Sequence, residues 1–146
     1  MRTEGTFTSQ LPSFTEVRAL AEAFGAAAGI DHLTTLRVVL VLEELFTNTV
    51  IHGYPAGNEG PIWVALVSQG GAIEVTYEDA APPFDPLGCA PAPPGPAIGV
   101  EERAPGGLGL ALVRGFSASA AYARVGDRNR ITLAVSAGDS ATSAPA

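Results

Sequence analysis

The sequence predicts a two-layer α+β sandwich, a mostly antiparallel sheet with helices gathered on one face. Three observations predict it. Two helical patterns follow one another near the N-terminus, and two pairs of alternating strand-like runs follow later. Strand and helix do not alternate one for one, as they do in doubly wound parallel folds. In chain order the pattern reads strand, helix, helix, strand, strand, a long Pro- and Gly-rich stretch, helix, strand, strand.

Thr6-Phe7-Thr8 reads as a short opening strand, ended by Pro12. Ser13-Phe14-Thr15-Glu16 has the form of a capping box, in which Ser13 and Glu16 satisfy reciprocal backbone donors. Val17, Leu20, Ala21 and Phe24 then recur at helical spacing, with Gly25 or Gly29 as the stop. A second helix is expected from near Asp31 to about His52, ended by Gly53. Its apolar residues (Leu36, Val39, Leu40, Leu42, Phe46 and Val50) cover much of its circumference. Such a helix is mostly buried, so a glutamate and an asparagine inside it need a reason.

Tyr54 to Gly60 is a loop. Ile62, Val64 and Val67 mark a strand, Gln69-Gly70-Gly71 a hairpin turn, and Ile73, Val75 and Tyr77 the return. Ala80 to Gly107 is dense in Pro, Gly and Ala, as in a functional lid or a disordered segment. Gly109 to Phe116 reads as a short helix. Ala120–Val125 and Arg130–Val135 read as a second hairpin across Gly126-Asp127-Arg128-Asn129. Residues 1–136 are expected to form one domain, and the small, polar run 137–146 a disordered tail.

Composition narrows the function. At 146 residues with 47% hydrophobic content the chain can bury a real core. A net charge of -7 argues against direct nucleic-acid binding, which requires a basic surface. All eight basic residues are arginine. The absence of lysine excludes a Walker P-loop and the phosphate-pairing lysine of protein-kinase-type folds. The single cysteine, Cys89, excludes an internal disulfide and a cysteine-rich zinc site. No apolar run reaches the length of a membrane span and no signal-peptide core is present, so a cytoplasmic location is expected.

Glu44 and Asn48 lie four residues apart and share one helix face. That geometry suits a general base beside a divalent-metal ligand. Gly106-Gly107-Leu108-Gly109-Leu110 opens a helix, where unpaired backbone N–H groups and the dipole favour phosphate. Asp79 ends an alternating run between them. The order of these signals points to a nucleotide site, in which a metal ion offsets repulsion between an acidic protein and a polyanion. A Rossmann site is excluded: no strand precedes the glycines, and Leu112 stands where a third small residue belongs.

With these elements placed, the chain resembles the GHKL ATPase superfamily, and within it the small anti-sigma-factor serine/threonine kinases. Leu42-Glu43-Glu44-Leu45-Phe46-Thr47-Asn48-Thr49-Val50-Ile51-His52-Gly53-Tyr54 resembles the family's N-box. Glu78-Asp79-Ala80-Ala81-Pro82-Pro83-Phe84-Asp85-Pro86 resembles its first glycine box, and Gly106 to Arg114 its second. The resemblance runs from about Pro12 to Val135. It implies ATP and Mg²⁺ as cofactors, with Glu44 as general base and Asn48 as the Mg²⁺ ligand. It implies that Asp79 accepts from the adenine amine, and that Gly107, Leu108, Gly109 and Leu110 offer backbone N–H groups to the phosphates. Thr132 is implied as an adenine contact, direct or through water. Ala81 stands in the adenine site where the box has glycine. A left-handed backbone there would cost alanine about 1 kcal/mol, and a methyl group would narrow the pocket.

The activity implied is transfer of the ATP γ-phosphate to a serine of an antagonist protein, with a sigma factor as second partner and a homodimer as the common assembly. An ATP-held switch or partner-binding module without kinase turnover remains the alternative.

Overall fold

A computed structural model describes residues 1–55, 58–87 and 117–136. Strand β1 (Arg2–Thr8) leads through a single 3₁₀ turn into helix α1 (Phe14–Ala27). Helix α2 (His32–Asn48) follows and widens at its end into a π-helical turn, Thr49–Gly53. Two hairpins complete the described fold: β2 (Pro61–Gln69) with β3 (Ala72–Asp79), and β4 (Ser117–Val125) with β5 (Arg128–Val135). The five strands form one sheet in the order β1-β2-β3-β5-β4, and every neighbouring pair is antiparallel. The expected α+β two-layer sandwich is what the chain forms.

Period-two alternation decides which face is covered. Ile62, Val64 and Leu66 of β2, Ile73, Val75 and Tyr77 of β3, and Ile131, Leu133 and Val135 of β5 are all buried beneath the helices. Val17, Ala21 and Phe24 of α1 and Val38, Val41, Leu42, Leu45 and Phe46 of α2 meet them at helical spacing. The Phe14 and Phe46 rings pack tilted, with centroids 5.6 Å apart. The two helices approach closely at Gly25, where an added Cβ would stand 2.3 Å from Thr35 Oγ1. That glycine is therefore a packing residue rather than the helix stop. The stop is Gly29, which lies just beyond α1 in the left-handed region at φ 71°.

Several local expectations need correction. The opening strand is longer than Thr6–Thr8, because β1 pairs with β2 from Arg2 onward. Ser13 has helical backbone angles and its side chain makes no cap bond, so the Ser13–Glu16 capping box does not form. The preceding 3₁₀ turn already supplies helical geometry there, and a capping side chain requires an extended N-cap. Asp31 is such a residue: it is extended at ψ 161° and accepts from Thr34 N–H. Its carboxyl is held below the ordinary value by the hydrogen bonds from Thr34. In β2 the inward residue is Leu66 rather than Val67.

The second hairpin turns on Gly126-Asp127 alone, so Arg128 and Asn129 belong to β5. In the first hairpin Gly70 and Gly71 both take positive φ, 57° and 85°, as a two-residue turn between twisted strands demands. The expected lid beyond residue 87, the helix from Gly109 to Phe116 and the tail 137–146 lie outside the described residues.

Candidate functional site

Helix α2 ends above the C-terminal end of β3. At that junction Leu45, Asn48, Thr49, His52 and Gly53 face Tyr77, Asp79, Ala81 and Pro82–Phe84, with Asn129 and Ile131 of β5 as the floor. Together they line a cavity of about 280 Å³. The π-helical turn aims Thr49 into it. The Thr49 hydroxyl lies 3.2 Å from the carbonyl of Leu45 one turn back, and Tyr77 OH approaches the same carbonyl at 3.1 Å. Such side-chain competition for a helix carbonyl loosens the regular ladder, and π turns of this kind mark functional sites.

Asp79 is the centre of the polar wall. It is only 7% exposed, and a polar group buried there needs hydrogen-bond donors. Three are in place. Thr49 Oγ1 donates to Oδ2 at 2.9 Å, Asn129 Nδ2 to Oδ1 at 2.9 Å, and the backbone N–H of Ala81 to Oδ1 at 3.2 Å. Tyr77 OH joins Thr49 Oγ1 at 2.7 Å, and burial holds that phenol well above its ordinary pKa, so it stays a neutral donor.

Asn129 ties this wall to the chain that follows β3. Its amide nitrogen also faces the carbonyls of Ala81 and Pro82 at 3.2 and 3.0 Å. Its oxygen accepts from Phe84 N–H, Tyr122 OH and Arg124 Nη1 at 3.1, 2.6 and 3.2 Å. Arg124 Nη1 also donates to the Ala81 carbonyl at 2.8 Å. On the other flank, Tyr54 OH donates to the Pro61 carbonyl and accepts from Ala80 N–H. The stretch after β3 is thereby held from both sides. The methyl of Ala81 is buried beside Gly53, where an added Cβ would stand 3.5 Å from it.

The residues singled out from sequence fall into four groups. Asn48, Asp79 and Ala81 come together around the cavity. Glu44 stands one turn before Asn48 on the same helix, half-buried, and is not among the cavity's lining residues. Burial, and then the charge of Glu43, raise its carboxyl above the ordinary value of 4.5. Gly107, Leu108, Gly109 and Leu110 lie outside the described residues.

Thr132 is the correction. Asn129, Ile131, Leu133 and Val135 are the buried positions of β5, so strand parity sends Thr132 to the opposite face of the sheet. There it lines a separate cavity of about 500 Å³ with Thr76, Trp63 and Arg130. From β5 the side chains that reach the site are Asn129 and Ile131.

On that opposite face Arg128 Nη1 and Arg130 Nε both bind the carboxylate of Glu78, and the Arg128 guanidinium lies 3.4 Å from the centroid of the Trp63 ring. Burial pushes the Glu78 carboxyl up, but hydrogen bonds from the two arginines outweigh it and leave it below its ordinary value.

Comparison with known proteins fits this geometry. The sequence profile of the histidine kinase-like ATPase domain matches residues 7–135 of the chain. The chain belongs to the histidine kinase-like ATPase family.

Within that family it is similar to the anti-sigma F factor of Heyndrickxia coagulans, with 32% identity over 80 residues. The similarity spans 54% of this chain and about half, 53%, of that relative. A solved structure of the RsbU and RsbW domains of a Mycobacterium tuberculosis protein matches 93% of this chain and 32% of that chain. The TM-score is 0.62 at 21% identity, a likeness of fold.

Thr49, Tyr77 and Asn129 were not among the residues expected in the site. A threonine on a helix face otherwise lined by apolar residues was the available signal for Thr49. For Asn129 it was the Gly-Asp pair, which suffices as a two-residue turn and puts the asparagine in phase with Ile131. No described helix is long and apolar enough to cross a membrane.

Proposed function

We propose that this histidine kinase-like domain is a MgATP-dependent serine/threonine protein kinase of the anti-sigma-factor type. It would transfer the γ-phosphate to a serine of an antagonist protein, with a sigma factor as its other partner and a homodimer as its assembly. Residues 1–136 would form the ATP-binding domain. The observation that carries the reading is the cavity shared by Asn48 and Asp79, with a helix carboxamide on one wall and a buried, acceptor-only carboxylate on the other.

The donor set fits the cofactors. Among the described residues no three His, Cys, Asp or Glu side chains form a metal cage. Mg²⁺ at a nucleotide needs none: it keeps several waters and takes one or two protein oxygens beside the phosphates. Asn48 would supply such an oxygen, and the bound ion would offset phosphate charge during transfer. Asp79 would accept from the exocyclic amine of adenine, with Ala81 against the base. Gly107, Leu108, Gly109 and Leu110 would donate backbone N–H groups to the phosphates. Glu44 would accept the proton of the incoming serine hydroxyl, a role suited by a carboxyl that burial raises above its ordinary value.

A second reading has one observation behind it. Glu44 does not line the described cavity, as expected if ATP is held as a conformational switch without turnover. Incubation with labelled MgATP and the co-purifying partner separates the two: phosphoserine on the partner marks the kinase, and ATP retention without transfer marks the switch.

A further inference from the structure

We infer that Thr49 and Asn129 are positioning residues that set base specificity by holding Asp79 with a single acceptor position open. The inference rests on the nucleotide reading of the cavity. An ionised carboxylate accepts at about four positions. On Oδ1, Asn129 Nδ2 and the N–H of Ala81 fill both, at 2.9 and 3.2 Å. On Oδ2, the Thr49 hydroxyl fills one at 2.9 Å. Thr49 has one proton to give, and the charged oxygen is a better acceptor than the Leu45 carbonyl at 3.2 Å. Tyr77 OH, 2.7 Å from Thr49 and 3.1 Å from that carbonyl, supplies the remaining donor.

The two clamps come from different layers, Thr49 from the end of α2 and Asn129 from β5. Rotating Asp79 would break a bond to one of them. A carboxylate held this way has one place for one N–H donor. That suits an amino-substituted purine, whose exocyclic amine donates. An oxo-purine presents a carbonyl oxygen at the same position, which the carboxylate repels. A free carboxylate could swing to meet the ring N–H of an oxo-purine, and a clamped one cannot. Discrimination therefore comes from immobility as much as from charge.

The test is calorimetric titration of the full chain with MgATP and with MgITP, whose hypoxanthine base carries the oxo group. Wild type, Thr49→Val, Thr49→Ala and Thr49→Ser are compared. The expected result is that wild type prefers ATP, and that the valine and alanine variants narrow the ITP-to-ATP Kd ratio by about fivefold, the worth of one hydrogen bond. The serine variant keeps the wild-type ratio. Alanine, a better helix former than valine, carries the comparison where the valine variant fails to fold. Equal weakening of both nucleotides with an unchanged ratio overturns the inference, as does a serine variant no better than valine. Wild type binding neither nucleotide overturns the nucleotide reading itself, a result distinct from binding with an unaltered ratio.

Discussion

Asn129 and Asp79, fifty residues apart in sequence, meet as opposed residues of β5 and β3, and the asparagine amide donates to the carboxylate at 2.9 Å. The same asparagine oxygen accepts from Phe84, Tyr122 and Arg124. One side chain thus joins the end of β3, the segment after it and the β4–β5 hairpin. Asn129→Ala removes one of the two donors to the buried Asp79 Oδ1 and leaves Tyr122 and Arg124 without this acceptor. A loss of about 2–3 kcal/mol is expected. Urea unfolding should show a lower midpoint with an unchanged slope.

Glu44→Gln should separate chemistry from folding. Burial raises the Glu44 carboxyl above 4.5, so the fold disfavours its ionised form. A group whose folded pKa is raised contributes stability below its unfolded pKa and loses it as pH rises through the folded value. At pH 7 the glutamine variant should therefore melt higher than wild type, with the difference vanishing in acid. Phosphoryl transfer should fall by about 10²-fold or more, while ATP binding persists. Scanning calorimetry and a transfer assay on the same samples check both arms.

Asn48→Ala and Asp79→Asn should fail in different ways. Loss of the Asn48 carboxamide should remove the Mg²⁺-dependent part of ATP affinity and leave the metal-free part intact. An amide at Asp79 would point a donor at Thr49 or Asn129, so affinity should drop with and without Mg²⁺. Ligand in excess of Kd raises the melting temperature, so thermal shifts with ATP, with and without EDTA, distinguish the two variants.

The acid side of the stability profile should carry the mark of Glu78. Its carboxyl is lowered from 4.5 because two arginine hydrogen bonds outweigh its burial. A depressed carboxyl contributes stability above its unfolded pKa and loses it as pH falls through the lower folded value. Glu78→Gln should weaken the fold at neutral pH and flatten its loss below about pH 4.5. Trp63 is the only tryptophan and stacks on Arg128, so its fluorescence follows the titration directly.

The sandwich was legible because its signals are local and periodic. Alternation in β2, β3 and β5 and the helical spacing of α1 and α2 each say which side is buried before any partner is known. Asn48 and Asp79 were legible for a related reason: a polar group on an apolar helix, or at a strand end, stands out against its pattern. The misreadings came where one residue of register decides the outcome. Treating Gly126 to Asn129 as a four-residue loop hid Asn129 in a turn, and Thr132, an adenine contact by resemblance alone, lies on the opposite face of its strand. The Ser13 capping box failed because a 3₁₀ turn occupies the residues before it.

The sequence by itself determined the layer architecture, the order of its elements and the kinds of side chain that could serve a nucleotide, since periodicity and residue chemistry are properties of the chain alone. Only the tertiary structure decided which of those side chains share a cavity. Parity across β5 and the widened turn after Asn48 set the directions of Thr132, Asn129 and Thr49, and a direction in space is fixed by packing between layers rather than by spacing along the chain.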